Sequence, residues 1–187
     1  MQIRRGYSYH IRDEFFDLVQ DKYLMSNKEQ ENYRPHYYAI QDKKNQELYW
    51  MIPISSQAEK YKEIIEKKKK RYGKCNTIII GLFAGKENAF LIQNAFPVIE
   101  KYFDHVHTIQ EQLVTIHKKL DKLLVENLNE VLAMYNRGIK LTFTDIKVIR
   151  TIMECILKYC KEWCLWDFSF TVITMMETMI LTDYVGI

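Results

Sequence analysis

The sequence predicts an α+β domain on three observations. β-Branched and aromatic runs with strand-like spacing fill the first half, apolar residues at helical spacing fill the second, and no Gly, Ser or Pro-rich linker divides them. At 187 residues, one core can bury roughly 70% of the unfolded chain's surface without disulfides or a metal. Hydrophobic residues at 48% and charged residues at 27% exclude a disordered chain, and no apolar run approaches the roughly 20 residues of a membrane span. The start, Met1-Gln2-Ile3-Arg4-Arg5-Gly6, lacks an apolar signal core, so the expectation is a cytoplasmic protein with no membrane partner. Cys75, Cys155, Cys160 and Cys164 have no CxxC spacing, which fits free thiols.

The elements follow in order. Tyr7 to Tyr9 reads as a short strand and Asp13 to Lys22 as a short helix with Phe15, Phe16, Leu18 and Val19 on its apolar side. Leu24 to Pro35 is polar and aperiodic, hence a loop. His36 to Ile40 and Leu48 to Ile54 read as a hairpin, with alternation sending His36 and Tyr38 to one face and Tyr37 to the other, so that one face packs and the other meets a ligand. Ser55 or Ser56 caps a helix from Glu59 to Tyr72, with Tyr61, Ile64, Ile65 and Lys68 along one side. Asn76 to Phe83 and Ala89 to Phe96 form a second strand pair, and the unalternating Thr77-Ile78-Ile79-Ile80 reads as a central strand. Thr108 to Tyr135 carries apolar residues at helical spacing and stops at Gly138; Thr144-Asp145 opens a further helix from Ile146 to about Cys160. Trp163 to Ile187 is ambiguous between strand and helix. The expected organisation is one domain over 1–160 with an extension over 161–187.

The net charge of +3 conceals an asymmetry: residues 1–74 hold 16 Lys and Arg against 11 Asp and Glu, and nine of the 13 tyrosines. Cations that neutralise phosphates, interleaved with rings that stack on bases, suit a nucleic-acid surface. Within this front, Tyr33-Arg34-Pro35-His36-Tyr37-Tyr38 sets an Arg, a His and three tyrosines where a loop enters a strand. Ser55 and Ser56 stand where a strand passes into a helix N-terminus, a natural anion site, with Lys60 within reach as a point charge. Lys67, Lys68, Lys69, Lys70 and Arg71, with Lys74 beyond, form a run suited to tracking phosphates, and Tyr38 is a candidate for stacking a base. His105-x-His107 and His117 lack the further Cys or carboxylate that would suggest a metal, and no phosphate-loop, dinucleotide or serine-hydrolase motif occurs.

The ordered set Tyr33 to Tyr38, LYWMIPISSQAEK from Leu48 to Lys60, and GLFAGKENAFLIQNAFPV from Gly81 to Val98 resembles the toxins of type III toxin-antitoxin systems, the ToxN/AbiQ group, and most of all its CptN branch. The resemblance spans roughly residues 3 to 157. It implies a compact, strongly bent antiparallel sheet of the MazF/Kid barrel kind, with a long helix and a second C-terminal helix packed on it. It also implies a sequence-selective, metal-independent endoribonuclease with no cofactor. Such an enzyme cuts cellular RNA, including mRNA, as well as the precursor of its own repeat-derived RNA antitoxin, which then inhibits it, in some cases within a cyclic protein-RNA assembly. Phage defence by abortive infection is the associated role. The family's site maps onto Tyr33, Arg34, His36, Ser55, Ser56 and, displaced from the position other branches use, Lys60. Other branches carry Lys where His36 stands. From the residues alone, a non-catalytic RNA-binding module and a helical protein-interaction domain remain alternatives.

Overall fold

The computed structural model describes residues 2–24, 28–29, 32–33 and 37–163. The chain runs β1 (Ser8–Ile11), α1 (Asp13–Val19), β2 (Lys28–Glu29), β3 (Asn32–Tyr33), β4 (Tyr37–Gln41), β5 (Leu48–Ser55), α2 (Ala58–Tyr72), β6 (Ile79–Phe83), β7 (Lys86–Phe90), β8 (Phe96–Ile99), β9 (Phe103–Val106), β10 (Thr108–Ile109), β11 (Gln112–Leu113), α3 (Lys118–Asn136) and α4 (Ile146–Trp163). A seven-stranded antiparallel sheet, bent and open, has the order β6-β7-β5-β4-β1-β9, with β8 also on β5. The α+β class with its bent antiparallel sheet is therefore as expected.

The long strand β5 organises the sheet. One edge pairs with β4 from Tyr37↔Pro53 to Gln41↔Tyr49, while the other pairs first with β8 through Leu48 to Met51 and then with β7 at Ile54 and Ser55. Pro53 sits at that changeover. Its carbonyl accepts from Leu91 N at 2.9 Å, and the N–H it lacks would point to the same edge, where the ladder is interrupted by the 3-10 turn Ile92–Asn94. Proline is thus tolerated inside a central strand because no partner there requires its donor.

Both faces of the sheet are packed. Tyr9, Ile11, Tyr37, Ala39 and Met51 join Phe15 of α1 and Ile149 and Met153 of α4 on one side. Tyr38, Trp50, Ile52, Ile54 and Phe90 join Leu124, Leu128 and Val131 of α3 on the other. Helix α2 covers Ile78, Ala89 and Leu91 with Tyr61, Ile64 and Ile65, the stripe its periodicity indicates. Where α3 crosses β6, a Cβ on Gly81 would lie 2.5 Å from Leu120 Cδ2, so glycine there permits the close approach. The β4–β5 loop is pinned by Asp42, which accepts from Lys44 N, Asn45 N and Trp50 Nε1, each at 2.8 Å, and pairs with Arg150 of α4.

Several elements depart from the sequence reading. The expected helix from Thr108 begins only at Lys118, capped by His117, whose ring accepts from Lys119 N. Ahead of it the β10–β11 hairpin turns through Gln110 and Glu111 at φ 49° and 63°, leaving Ile109 and Leu113 exposed, so their helical spacing carries no packing. The strand expected from Ala89 to Phe96 is two strands, because the two-residue Ala84-Gly85 turn (φ 55° and 74°) sets Phe83 opposite Lys86 and the Ile92–Asn94 turn then breaks the run. Thr77 to Ile80 does not form a central strand. β6 ends the sheet, and its isoleucines are buried by α2 and α3 rather than by flanking strands. Within the expected loop, β2 and β3 pair Lys28 with Tyr33 and Glu29 with Asn32. Asp145 caps α4 by accepting from Val148 N, while Thr144, fully buried, donates to Ala95 O at 2.8 Å. Residues 164–187, the bulk of the expected extension, lie outside the described residues, as do Arg34 and His36.

Candidate active site

The strand register assembles one end of the sheet. Tyr9 of β1 is opposite both Val106 of β9 and Tyr37 of β4, and Tyr37 is opposite Pro53 of β5. Because neighbours run antiparallel, the start of β4 and the end of β5 lie at the same end, with Ser55 two residues beyond Pro53. Tyr37, the first residue of β4, and Ser55-Ser56 are thus at the same end of two adjacent strands.

Neither serine caps α2. The cap position is Gln57, which gives no side-chain cap, and Ser55 Oγ instead accepts from Gln57 N at 3.3 Å. The first-turn amides therefore have no side-chain acceptor among the described residues, and an anion can serve in that role. Ser56 and Lys60 line an open cleft of about 450 Å³ at this helix start. Glu59 and Glu87 also border it, and Lys62, bonded to both carboxylates at 2.7 Å, offsets one of their two charges. Ser56 and Lys60 thus share one cleft, Ser55 is adjacent in the chain but does not line it, and Tyr33 lies in β3.

Tyr38 does not offer a ring to a base. It is 0% exposed, and its hydroxyl donates to Asp121 Oδ1 at 2.5 Å, while Arg5 holds the other carboxylate oxygen at 2.6 Å. Burial, and then the neighbouring Asp121, push the phenol well above its ordinary range. Tyr37 is buried as well, so at Tyr37 and Tyr38 neither side of β4 is left open, contrary to the expectation that Tyr38 lies on a ligand-reading face.

The basic run is divided by its partners. Lys68 is turned inward, donating to Thr77 Oγ1 at 2.8 Å and Gln93 Oε1 at 2.7 Å, and burial lowers its pKa from the ordinary lysine value. This removes Lys68 from the expected phosphate-tracking set. Lys69 pairs with Glu66 at 3.0 Å and Lys74 with Glu130, whereas Lys67, Lys70 and Arg71 are exposed toward the far end of α2, roughly 16 Å along its axis from the serine cleft. A basic surface absent from the sequence reading lies elsewhere: Arg4, Arg5, Lys43, Lys44, Lys147 and Arg150 border a groove of about 1100 Å³ between β4–β5, α3 and α4. Its cations come from three distant stretches, which is why no local run announces it.

No protein-family profile and no curated protein sequence matches the chain. Among solved structures, it superimposes on AbiQ, a lactococcal anti-phage endoribonuclease belonging to the type III toxin-antitoxin system, with a TM-score of 0.61 at 16% identity, covering 82% of this chain and 98% of AbiQ. The chain has the AbiQ fold.

On this AbiQ fold three histidines gather beside the sheet end described above. His10 of β1 stacks on His105 of β9, with ring centroids 4.3 Å apart and 19° between planes, and His10 Nε2 lies 3.1 Å from His107 Nδ1. Burial, and then neighbouring His105, hold the His107 pKa below its ordinary value. Among the described residues no group of three or more His, Cys, Asp or Glu is arranged to hold a metal, and here two ring nitrogens face one another instead of converging on a point. His-x-His on a strand does signal two imidazoles on one side, but His10, 95 residues earlier, gives no hint of joining them. No helix among the described residues is long and apolar enough to cross a membrane.

Proposed function

We propose that this chain is the toxin of a bacterial type III toxin-antitoxin system. In this reading it is a cytoplasmic, metal-independent endoribonuclease that cuts cellular RNA and its own repeat-RNA precursor and is held inactive by the processed RNA. The observation that carries the reading is the AbiQ fold with Ser55, Ser56 and Lys60 at an uncapped helix start, on the strand next to the one that His36 precedes. The grooved cationic surface between α3, α4 and the β4–β5 hairpin supports an RNA path across the molecule.

Cleavage without metal needs three services. The ribose 2'-OH loses its proton as it attacks the adjacent phosphorus, the 5'-oxygen gains one as it leaves, and the phosphorane's charge is stabilised. His36 is the proton acceptor, since imidazole titrates near neutrality. Arg34 and Lys60 stabilise the phosphorane, Ser55, Ser56 and the first-turn amides of α2 hold non-bridging oxygens, and Tyr33 orients the 2'-OH. The products are a 2',3'-cyclic phosphate and a 5'-OH. The test is incubation of the purified protein with RNA in EDTA, followed by analysis of the 3' ends. Cyclic-phosphate ends that vanish in His36→Ala while RNA affinity is retained are the expected result; binding without cleavage by the unmodified chain would establish an RNA-binding module instead.

A further inference from the structure

Two exposed aromatic residues from distant parts of the chain, Tyr23 after α1 and Phe143 before α4, lie against each other. Their ring centroids are 6.1 Å apart with 30° between planes, an offset rather than a face-to-face arrangement, and each residue is 48% exposed. The backbone around Phe143 inverts the usual order of burial. Thr142 and Thr144 on either side of it are buried, whereas the large apolar residue between them is not. Thr142 Oγ1 donates to Thr144 O at 3.2 Å, Thr144 Oγ1 donates to Ala95 O at 2.8 Å, and the N–H of Phe143 itself donates to Gln93 O at 2.8 Å. Two small polar side chains are thus held inside, and the ring between them is turned to solvent.

The second ring is mounted in the same way. Asp21 accepts from Tyr23 N through Oδ1 and from Asp145 N through Oδ2, each at 2.8 Å, so one carboxylate ties the turn after α1 to the start of α4. Because hydrogen bonds fix the backbone under both rings, a ligand that stacks on them has little ordering of the protein left to oppose it.

Cations accompany the rings. Lys22 is exposed, with Nζ 5.1 Å from the Tyr23 centroid. Lys147 is exposed four residues beyond Phe143 and borders the basic groove between the β4–β5 hairpin, α3 and α4. Asp145 joins the two features: its N–H is held by Asp21 beside the rings, and its carboxylate accepts from Tyr135 Oη, a residue of the groove wall, at 3.5 Å and from Val148 N at 3.3 Å. The centre of a protein-docking surface is depleted in lysine, whereas here an ammonium lies over a ring. Exposed rings with cations beside them, next to a cationic groove, match the arrangement that holds single-stranded nucleic acid, with bases on the rings and phosphates on the cations. A duplex, whose bases already stack on one another, has no free base face to offer them.

We propose that Tyr23 and Phe143 form a base-stacking platform for single-stranded RNA whose backbone continues into the groove bordered by Lys147 and Arg150. The inference rests on the reading of that groove as an RNA path, and it names the part of the RNA this face takes: unpaired nucleotides, gripped by stacking and so with little preference among bases. Both residues bind RNA and neither borders the Ser56–Lys60 cleft.

The experiment measures affinity, by fluorescence anisotropy, for a single-stranded RNA of about 12 nucleotides with 2'-O-methyl riboses, which lack the attacking hydroxyl and are not cut, and for an abasic chain of equal length and charge. Phe143→Ala should weaken binding of the base-bearing chain by about 5- to 150-fold, and leave both the abasic affinity and the salt slope unchanged. Phe143→Tyr and Tyr23→Phe, which keep the rings, should bind as the unmodified protein does. Lys22→Ala should lower the slope of log affinity against log salt by about 0.7. Unchanged affinity in a folded Phe143→Ala protein, an equal loss on the abasic chain, or a loss that Phe143→Tyr shares overturns the platform and leaves the ribonuclease reading intact. Should the alanine variant not fold, the unmodified protein decides. Equal affinity for the two chains overturns the platform, and a preference of about fivefold or more for the base-bearing chain, kept in Phe143→Tyr and lost in Phe143→Leu, supports it. Self-association that Phe143→Ala abolishes, with RNA affinity intact, would give the rings to a second copy of the chain instead. Base-dependent binding by a protein that cuts no RNA would leave the platform standing and remove the ribonuclease reading, and binding of no RNA would remove both.

Discussion

Replacing Tyr38 by Phe separates two roles that the sequence alone leaves open, because it retains the ring and deletes only the hydroxyl. That hydroxyl donates at 2.5 Å to Asp121, a carboxylate only 15% exposed, and ties β4 to α3 across the sheet face. A hydrogen bond to a charged group contributes about 1.5–3 kcal/mol. Asp121 retains Arg5 on its other oxygen, so the deletion leaves no wholly unpaired carboxylate and the lower half of that range applies, about 1.5–2 kcal/mol. For a domain of this size each kcal/mol shifts the melting midpoint by about 2–4 °C, giving a fall of about 3–8 °C. Calorimetry or circular dichroism melts provide the measurement, and a cycle with Asp121→Asn should show that the two losses do not add. RNA affinity should not change. A Tyr38→Phe protein with an unaltered midpoint, or a Tyr38→Leu protein that melts normally but binds RNA weakly, would refute the core assignment and restore Tyr38 as a stacking surface.

Three other outcomes follow from the same geometry. Gly81→Val should destabilise by about 1–3 kcal/mol through collision with Leu120, and combining it with Leu120→Ala should return part of that loss, as read by urea midpoints. In RNA binding measured across salt concentrations, Lys70→Ala and Arg71→Ala should each lower the slope of log affinity against log salt by about 0.7 for single-stranded RNA, while Lys68→Ala should leave the slope unchanged and lower stability. Stability should fall as pH drops below about 6.5, the unfolded histidine value, because folding holds His107 below its ordinary pKa and the unfolded chain then binds more protons; His107→Gln should flatten that part of the profile.

What the sequence reveals depends on how local the cause is. The α2 stripe of Tyr61, Ile64 and Ile65 and the β4–β5 hairpin are local patterns, and they appear as read. Even the inward lysine at position 68 belongs to the helical face assigned to it; the polar pair Thr77 and Gln93 that receives it comes from elsewhere in the chain. The hairpin at Thr108–Leu113 was hidden because Ile109 and Leu113 repeat every four residues without packing as a helix would. The alternation of Tyr37 and Tyr38 is correct as geometry, yet it cannot disclose that helices cover both sides. At the candidate site, Ser55, Ser56 and Lys60 were legible as a strand running into a helix start. The histidine pair was not, since it depends on a bulge that sets one residue of β1 against two of β9.

Covering the sheet on both sides has a consequence for how such a protein changes over time. Most described strand faces are committed to the interior, so contact chemistry falls to the basic groove beside the β4–β5 hairpin and to the rim, where strand ends, the β1–β9 bulge and the first turn of α2 emerge. Substitutions at the rim leave interior volume untouched, and interior substitutions that preserve volume leave the rim in place. The frame and its working edge can therefore drift on separate clocks, and a frame common to this chain and AbiQ at 16% identity is what such independence permits. Exchanging rim segments between chains of this fold, rather than single residues within a core, is accordingly the economical way to redirect what the edge recognises.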